Sequence, residues 1–82
     1  MSDKEYFEKM KFISGEYWNK FKELLQGLTD KDEYWDNVLA EFGTLAQKYK
    51  DTEFSAYASD LYVAYSDALN QRWKVKGGSE NG

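Results

Sequence analysis

The chain has 82 residues, of which 41% are hydrophobic and 18% aromatic, and its formal net charge is −4. This length is enough for one small domain with one core and too short for two. Because the sequence has no cysteine and no histidine, it excludes disulfides and the most common metal ligands and catalytic bases. We therefore expect no metal, no cofactor and no enzymatic activity.

The negative charge is concentrated in the middle of the chain. Residues 1–29 are neutral, residues 30–67 contain nine acids and three lysines, and residues 68–82 have a net charge of +2. Phosphate binding needs clustered Lys and Arg, so this distribution disfavours nucleic acid as a direct ligand. No apolar run approaches the roughly 18 residues of a membrane span, and the lack of cysteine favours a reducing compartment. We expect a soluble, cytoplasmic protein.

The first predicted helix covers about residues 3–26. The chain has no proline, and its apolar residues recur at intervals of three and four. Ser2 and Glu5 predict a capping box at the start of this helix, and Gly27 predicts a left-handed C-cap. The predicted core-facing residues are Tyr6, Met10, Ile13, Tyr17, Phe21, Leu24 and Leu28, with Phe7, Trp18 and Leu25 widening this face on one side.

A six-residue phrase occurs three times, beginning at Glu5, Glu16 and Glu33. It consists of an acid, two adjacent aromatic residues, a polar residue, any residue and an apolar residue. The first two copies are 11 residues apart, close to three helical turns, so their aromatic side chains lie on the same two rows of one helix. The phrase contains no nucleophile, metal-ligand set or phosphate loop, and it indicates architecture rather than chemistry.

Two more helices are predicted, over about residues 30–50 and 53–75. Thr29 or Asp30 is the expected cap of the second helix, and Asp51 or Thr52 that of the third. The sequence thus predicts an all-α protein, a three-helix antiparallel bundle formed by a single domain over residues 1–76. Residues 77–82 are polar and rich in glycine, which predicts a flexible, disordered tail.

Two stretches carry resemblances. The segment from Phe42 to Tyr65, with Tyr49, Asp51 and Thr52 at the turn, resembles a single helix-turn-helix hairpin of tetratricopeptide-like repeats. That resemblance implies hairpin geometry and a bias toward protein binding. The whole chain, with the run from Phe12 to Trp18 leading into the second phrase, is similar to small helical proteins carried by prophages and mobile elements of Gram-positive gut bacteria.

Four acids lie near the start of the second helix: Asp30, Asp32, Glu33 and Asp36. They do not fit a calcium-binding EF-hand loop, because Tyr34 stands where an oxygen ligand is needed and Trp35 where a glycine is needed. We interpret them as surface charges near the positive end of the helix dipole. Gly15 and Gly43 interrupt predicted helices, which suggests close approach by a helix or a partner at each position.

A few apolar residues fall off the predicted core faces. Phe12 points toward the back of the first helix and is predicted to be exposed, and Val63 faces away from Phe54 on the third. A further row lies to one side of the main apolar stripe of the third helix and contains Tyr62, Leu69 and Trp73. One interpretation is a core that wraps wider than one face, with Trp73 covering the open end of the bundle. The other is a docking patch.

These features favour a non-enzymatic protein-protein interaction module, and a homodimer is one form that it can take. Its apolar anchor would be Phe12 or the row that contains Tyr62, Leu69 and Trp73, with acids at its rim. The alternative is an inhibitor encoded by a mobile element, such as an anti-CRISPR protein, whose acidic surface occupies a basic nucleic-acid-binding site on its target. In that case the acids expected to bind the target are Asp32, Glu33 and Asp36.

Overall fold

A computed structural model describes residues 1–76, which form three α-helices that contact one another in all three pairs. Helix α1 spans Asp3–Leu25, α2 spans Asp32–Lys48 and α3 spans Ser55–Val75. The predicted all-α, three-helix antiparallel bundle is confirmed, and every helix bound lies within two residues of its predicted position. The flexible tail predicted after Lys76 lies outside the described residues.

Helix α1 begins as predicted and ends differently. The Ser2 amide donates to Glu5 Oε1 at 2.9 Å and the Glu5 amide donates to Ser2 Oγ at 3.2 Å, which completes the capping box. At the other end, Gln26 is the C-cap with right-handed helical dihedral angles, and Gly27 does not adopt the left-handed conformation. The Gly27 amide instead donates to the carbonyl of Leu24 at 3.1 Å, which tightens the last turn.

The connection between α1 and α2 is held by two aromatic side chains. The Tyr34 hydroxyl donates to the carbonyl of Leu24 at 2.7 Å, and Trp35 Nε1 donates to the carbonyl of Thr29 at 2.9 Å. Neither Thr29 nor Asp30 caps α2, because the N-cap is Lys31, which makes no side-chain capping bond. These bonds draw the start of α2 back onto the end of α1.

Thr52 organises the turn between α2 and α3. Its hydroxyl donates to the carbonyl of Tyr49 at 2.8 Å and accepts from the amide of Phe54 at 3.1 Å. Bonding to the amide two residues later is typical of a serine or threonine turn rather than a helix cap. The predicted capping role of Thr52 is therefore wrong, and α3 begins after Phe54, which makes no side-chain cap.

Tyr17 lies at the centre of the core. Its ring stacks against Phe42 of α2 and Tyr65 of α3, with centroid distances of 5.7 and 5.8 Å. Its hydroxyl faces the carbonyls of Ala58 at 2.9 Å and Phe42 at 3.4 Å. Burial, with smaller contributions from Glu16 and Tyr62, raises the pKa of Tyr17 to about 12. One side chain of α1 thus joins all three helices. The buried core residues are Ile13, Tyr17, Leu24, Val38, Phe42, Tyr49, Phe54, Ala58 and Leu69.

The two aromatic residues of the repeated phrase have different environments. The first one is buried in the second copy, as Tyr17, and half-buried in the third, as Tyr34. In the first copy Tyr6 is 38% exposed, although its ring lies 5.0 Å from that of Phe54. The second one in α1 is exposed, at 67% for Phe7 and 50% for Trp18. The prediction that Phe7 and Trp18 widen the core face is therefore wrong, because the bundle closes over the row that contains Tyr17 and leaves the neighbouring row open.

The two helical glycines do not mark close packing. A Cβ atom added at Gly15 or Gly43 would meet no atom within 4 Å among the described residues. The suggestion that a neighbouring helix approaches closely at these positions is wrong. Both glycines lie beside open space.

Candidate functional site

An apolar groove lies between α2 and α3. It encloses about 400 Å³ and is open to solvent along one side. We call it the α2/α3 groove and define it by its lining residues, which are Trp35, Val38, Leu39, Tyr62, Val63, Ser66, Asp67 and Asn70. Most of this surface is hydrocarbon or aromatic, so the groove offers apolar contact area for a ligand.

Two aliphatic residues form the open edges of the groove. Leu39 on α2 is 50% exposed and Val63 on α3 is 65% exposed, whereas Val38 beside them is buried. Trp35 is fixed at the groove by the bond from its indole nitrogen to the carbonyl of Thr29. The wall is therefore rigid at Trp35, and two apolar side chains remain available to a partner.

Ser66 places an unsatisfied polar atom in the same groove. Its Oγ is buried and has no hydrogen-bond partner among the described residues. A buried hydroxyl without a partner carries a desolvation cost of about 1–3 kcal/mol.

Three aspartates surround the groove. Asp67 lines it, Asp36 lies three residues before Leu39, and Asp60 lies three residues before Val63. Residues at this spacing are neighbours on a helix surface. All three aspartates are exposed, and none forms a salt bridge within residues 1–76. The groove therefore has an apolar interior and an acidic rim without counter-charges.

A second cavity, of about 650 Å³, lies beside Phe12. Phe12 is 58% exposed, as predicted. Its ring already has cationic neighbours: Lys9 Nζ and Lys48 Nζ lie 5.8 and 6.0 Å from the ring centroid. We call this space the Phe12 cavity.

Glu16 neutralises part of the Phe12 cavity. Its carboxylate accepts from Lys48 Nζ at 2.5 Å and from the Tyr49 hydroxyl. Burial by itself would raise the pKa of Glu16, but the bonds from Lys48 and Tyr49 and the charges of Lys48 and Lys9 outweigh it and lower that pKa. Burial and the bond to Glu16 raise the pKa of Tyr49. Lys48 and Tyr49, which line this cavity, therefore share Glu16 as a partner.

The structure separates the row of Tyr62, Leu69 and Trp73 into different environments. Tyr62 lines the α2/α3 groove, but Leu69 is fully buried, so the interpretation of Leu69 as an exposed anchor is wrong. Leu69 follows the buried Ala58 by 11 residues, about three turns, and so shares its inward direction. Trp73 is half-buried and is not among the residues that line the groove.

The predicted acidic residues lie on the surface of α2. Asp32, Glu33 and Asp36 are exposed, and only Asp36 is close in sequence to an exposed apolar residue of the groove, Leu39. Sequence reasoning missed Leu39 as a surface residue because Leu39 falls within the broad apolar face of the second helix. The outward direction of Val63 was the available signal for the groove.

Two further features can be checked within residues 1–76, a cluster of acids and a membrane-spanning helix. Within residues 1–76, no three or more Asp or Glu side chains are grouped so that they could hold a metal ion. None of the three helices is long and apolar enough to cross a bilayer. Among the lining residues of the α2/α3 groove, Asp67 is the single carboxylate, and Asp36 and Asp60 lie at its rim.

Comparisons with protein families, with curated proteins and with solved structures find no match to this chain.

Proposed function

We propose that this protein is a non-enzymatic protein-protein interaction module that binds a helix of its partner in the α2/α3 groove. The observation that carries the proposal is the exposure of Leu39 and Val63 on opposite edges of one apolar groove. Grooves between two helices commonly take the apolar face of an amphipathic helix. Burying these two side chains would remove apolar surface from water at about 25 cal/mol per Å².

The acidic rim of the groove favours a positively charged partner helix. Asp36, Asp60 and Asp67 have no salt-bridge partner within residues 1–76. Complementary charges at the rim guide association and exclude wrong partners. The partner helix therefore has an apolar row flanked by lysine or arginine.

A synthetic 18-residue Leu/Lys amphipathic helix tests this proposal. It is titrated into the full chain while the methyl NMR signals are recorded. We expect the signals of Leu39 and Val63 to shift together and those of Val75, an exposed valine outside the groove, to stay in place. Binding without shifts at Leu39 and Val63 would contradict the groove as the site.

Two matched variants separate the groove from general surface effects. Val63→Ser removes an apolar edge, whereas Val75→Ser changes a similarly exposed valine at the end of α3. We expect Val63→Ser to weaken peptide binding about tenfold, as loss of a central apolar contact does. Val75→Ser is expected to bind like the original chain, and equal loss in both variants would overturn the proposal.

A second candidate function is supported by a different surface. Asp32, Glu33 and Asp36 are exposed at the start of α2 and form no salt bridge within residues 1–76. This favours a mobile-element inhibitor whose carboxylates occupy a basic nucleic-acid-binding site on a target protein. Such binding weakens steeply with salt, because the charges are solvent-exposed.

A purified RNA-guided nuclease provides the test of this second candidate. The inhibitor hypothesis is supported if the protein inhibits DNA binding by the nuclease and this inhibition is lost in high salt. It should also be lost in the triple variant Asp32→Lys, Glu33→Lys, Asp36→Lys. Val63→Ser should leave that inhibition unchanged. No inhibition across a panel of such nucleases would reject it.

A further inference from the structure

Helix α1 carries an exposed row with the chemistry that the α2/α3 groove lacks. The row contains Phe7, Lys11, Trp18 and Lys22, spaced by four, seven and four residues, and all four side chains are exposed. These intervals keep them on one side of the helix. Asp3 lies at the N-terminal end of this side. We call these four residues the α1 basic-aromatic row.

Trp18 is the most prominent side chain of this row. One face of its indole stacks on Phe21, with a centroid distance of 6.0 Å and an interplanar angle of 17°. Lys22 Nζ lies 5.9 Å from the ring centroid, and the side chain as a whole is 50% exposed. Trp is the residue type most enriched among the energetically dominant residues of interfaces. Here it is held in place and flanked by positive charge.

The row lies on a different side of the bundle from the Phe12 cavity. Phe21, on which Trp18 stacks, contacts Tyr65 of α3 at a centroid distance of 5.4 Å. The opposite side of α1 faces α2, where Glu16 binds Lys48. The α1 basic-aromatic row therefore flanks α3, and it is separate from the α2/α3 groove on the other side of α3.

The row and the groove have complementary charge and polarity. The row presents aromatic surface with Lys11 and Lys22 beside it, while the groove presents Val63 with Asp60 and Asp67 beside it. Asp67 follows Val63 by four residues, as Lys22 follows Trp18. A tryptophan that enters the groove at Val63 thus brings a lysine to the position of an unpaired aspartate. The nearest cations along α3, Arg72 and Lys74, follow Asn70 by two and four residues, at the end of the groove.

From this complementarity we infer that the occupant of the α2/α3 groove is the α1 basic-aromatic row of a second copy of this chain. The inference rests on the proposed function of the groove and names its partner. The contact joins two unlike surfaces, so each copy contributes a row at one junction and a groove at another. Trp18 of one copy lies between Leu39 and Val63 of the next, and its flanking lysines pair with the aspartates of the rim.

Self-association is measured by sedimentation velocity and light scattering over a range of protein concentrations. The original chain should rise above its monomer mass of 9.6 kDa as its concentration increases. Trp18→Glu and Val63→Glu should each weaken self-association at least about tenfold, because each replaces a central apolar contact with a carboxylate beside other carboxylates. The matched controls Phe12→Glu and Val75→Glu change similarly exposed residues and should associate like the original chain. Circular dichroism spectra and melting temperatures verify that every variant is folded.

A mixture of the two defective variants provides the decisive measurement. Trp18→Glu keeps an intact groove, and Val63→Glu keeps an intact row, so an equimolar mixture retains one complete junction. We expect each variant alone to be a monomer and the mixture to form a 1:1 dimer. A mixture that stays monomeric while the original chain associates would overturn the assignment of these two surfaces.

The failure of this inference differs from the failure of the proposed function. In one outcome the original chain remains monomeric up to about 1 mM, but the methyl signals of its groove still shift when the Leu/Lys helix is added. That result refutes the second copy as partner and leaves the groove as a binding site. If the chain does not associate and the Leu39 and Val63 signals do not shift, both the proposed function and this inference are refuted.

Discussion

The α2/α3 groove and the Phe12 cavity both expose apolar side chains, yet they differ in how their polar groups are satisfied. At the Phe12 cavity, Glu16 accepts bonds from Lys48 and Tyr49, and two ammonium groups lie near the Phe12 ring. At the groove, the hydroxyl of Ser66 is buried without a partner. Exposure of an aromatic or aliphatic residue is therefore a weaker sign of a binding surface than exposure beside unsatisfied polar groups.

The largest expected effect is on stability, and it distinguishes a core residue behind the groove from a residue at the edge of the groove. Leu69→Ala should lower the free energy of unfolding by about 2–5 kcal/mol, because it leaves a void at a fully buried position. Val63→Ala should change it by no more than about 0.5 kcal/mol, since Val63 is largely exposed. Urea denaturation followed by circular dichroism measures both. Similar losses in the two variants would mean that Val63 belongs to the core.

The second prediction concerns Glu16, whose carboxylate accepts hydrogen bonds from Lys48 and Tyr49 beside the Phe12 cavity. Glu16→Gln should lower the free energy of unfolding by about 1 kcal/mol near neutral pH, because it weakens charge-assisted bonds from Lys48 and Tyr49 at a partly buried site. Asp36→Asn, at an exposed carboxylate without a salt bridge, is the matched control and should have little effect. An equal effect in the two variants would contradict the difference between the two surfaces.

The same contact predicts a dependence on pH. Because the pKa of Glu16 is lower in the folded state than its ordinary value of 4.5, its stabilising contribution is present above that value. The contribution is lost as the pH falls through the lowered pKa. As the pH falls from 5 into the acid range, the free energy of unfolding should therefore decrease less in Glu16→Gln than in the original chain. Parallel loss in both proteins would show that Glu16 does not titrate in this way.

The last expected effect concerns the hydroxyl of Ser66, and its sign is opposite to that of the others. Ser66→Ala should raise the free energy of unfolding by about 1 kcal/mol, because it removes a buried polar atom that has no partner. Ser59→Ala, at an exposed position of the same helix, should gain only about 0.5 kcal/mol from helix propensity. Thermal unfolding of the two variants gives the comparison. Destabilisation by Ser66→Ala would mean that the hydroxyl already has a partner.

The helices could be predicted because their signals are local. The hydroxyl of Ser2 and the carboxylate of Glu5 are three residues apart, and their capping bonds need nothing beyond the first turn of α1. The predicted starts of α2 and α3 are two residues early because side-chain bonds in the preceding connections decide where these helices begin. Trp35 takes the carbonyl of Thr29, and Thr52 binds within its own turn.

The candidate site was harder to predict, because adjacent apolar residues on a broad helical face compete for the interior. Val38 and Leu39 both belong to the apolar face of α2, and only the position of the other helices decides that Val38 is buried and Leu39 exposed. The same applies to Tyr17 and Trp18 of α1. Intervals in a sequence define a face, whereas the rotation of each helix about its own axis depends on packing with the other two.

The central position of Tyr17 has a consequence for how the protein opens. Its hydroxyl faces carbonyls of α2 and α3 that are 25 and 41 residues away along the chain, so detachment of any one helix disturbs contacts of the same side chain. Native-state hydrogen exchange should therefore find the slowest amides of the three helices exchanging with one common free energy, as a single cooperative unit. Tyr17→Phe keeps the ring and removes the hydroxyl, and it should lower that common value in all three helices together.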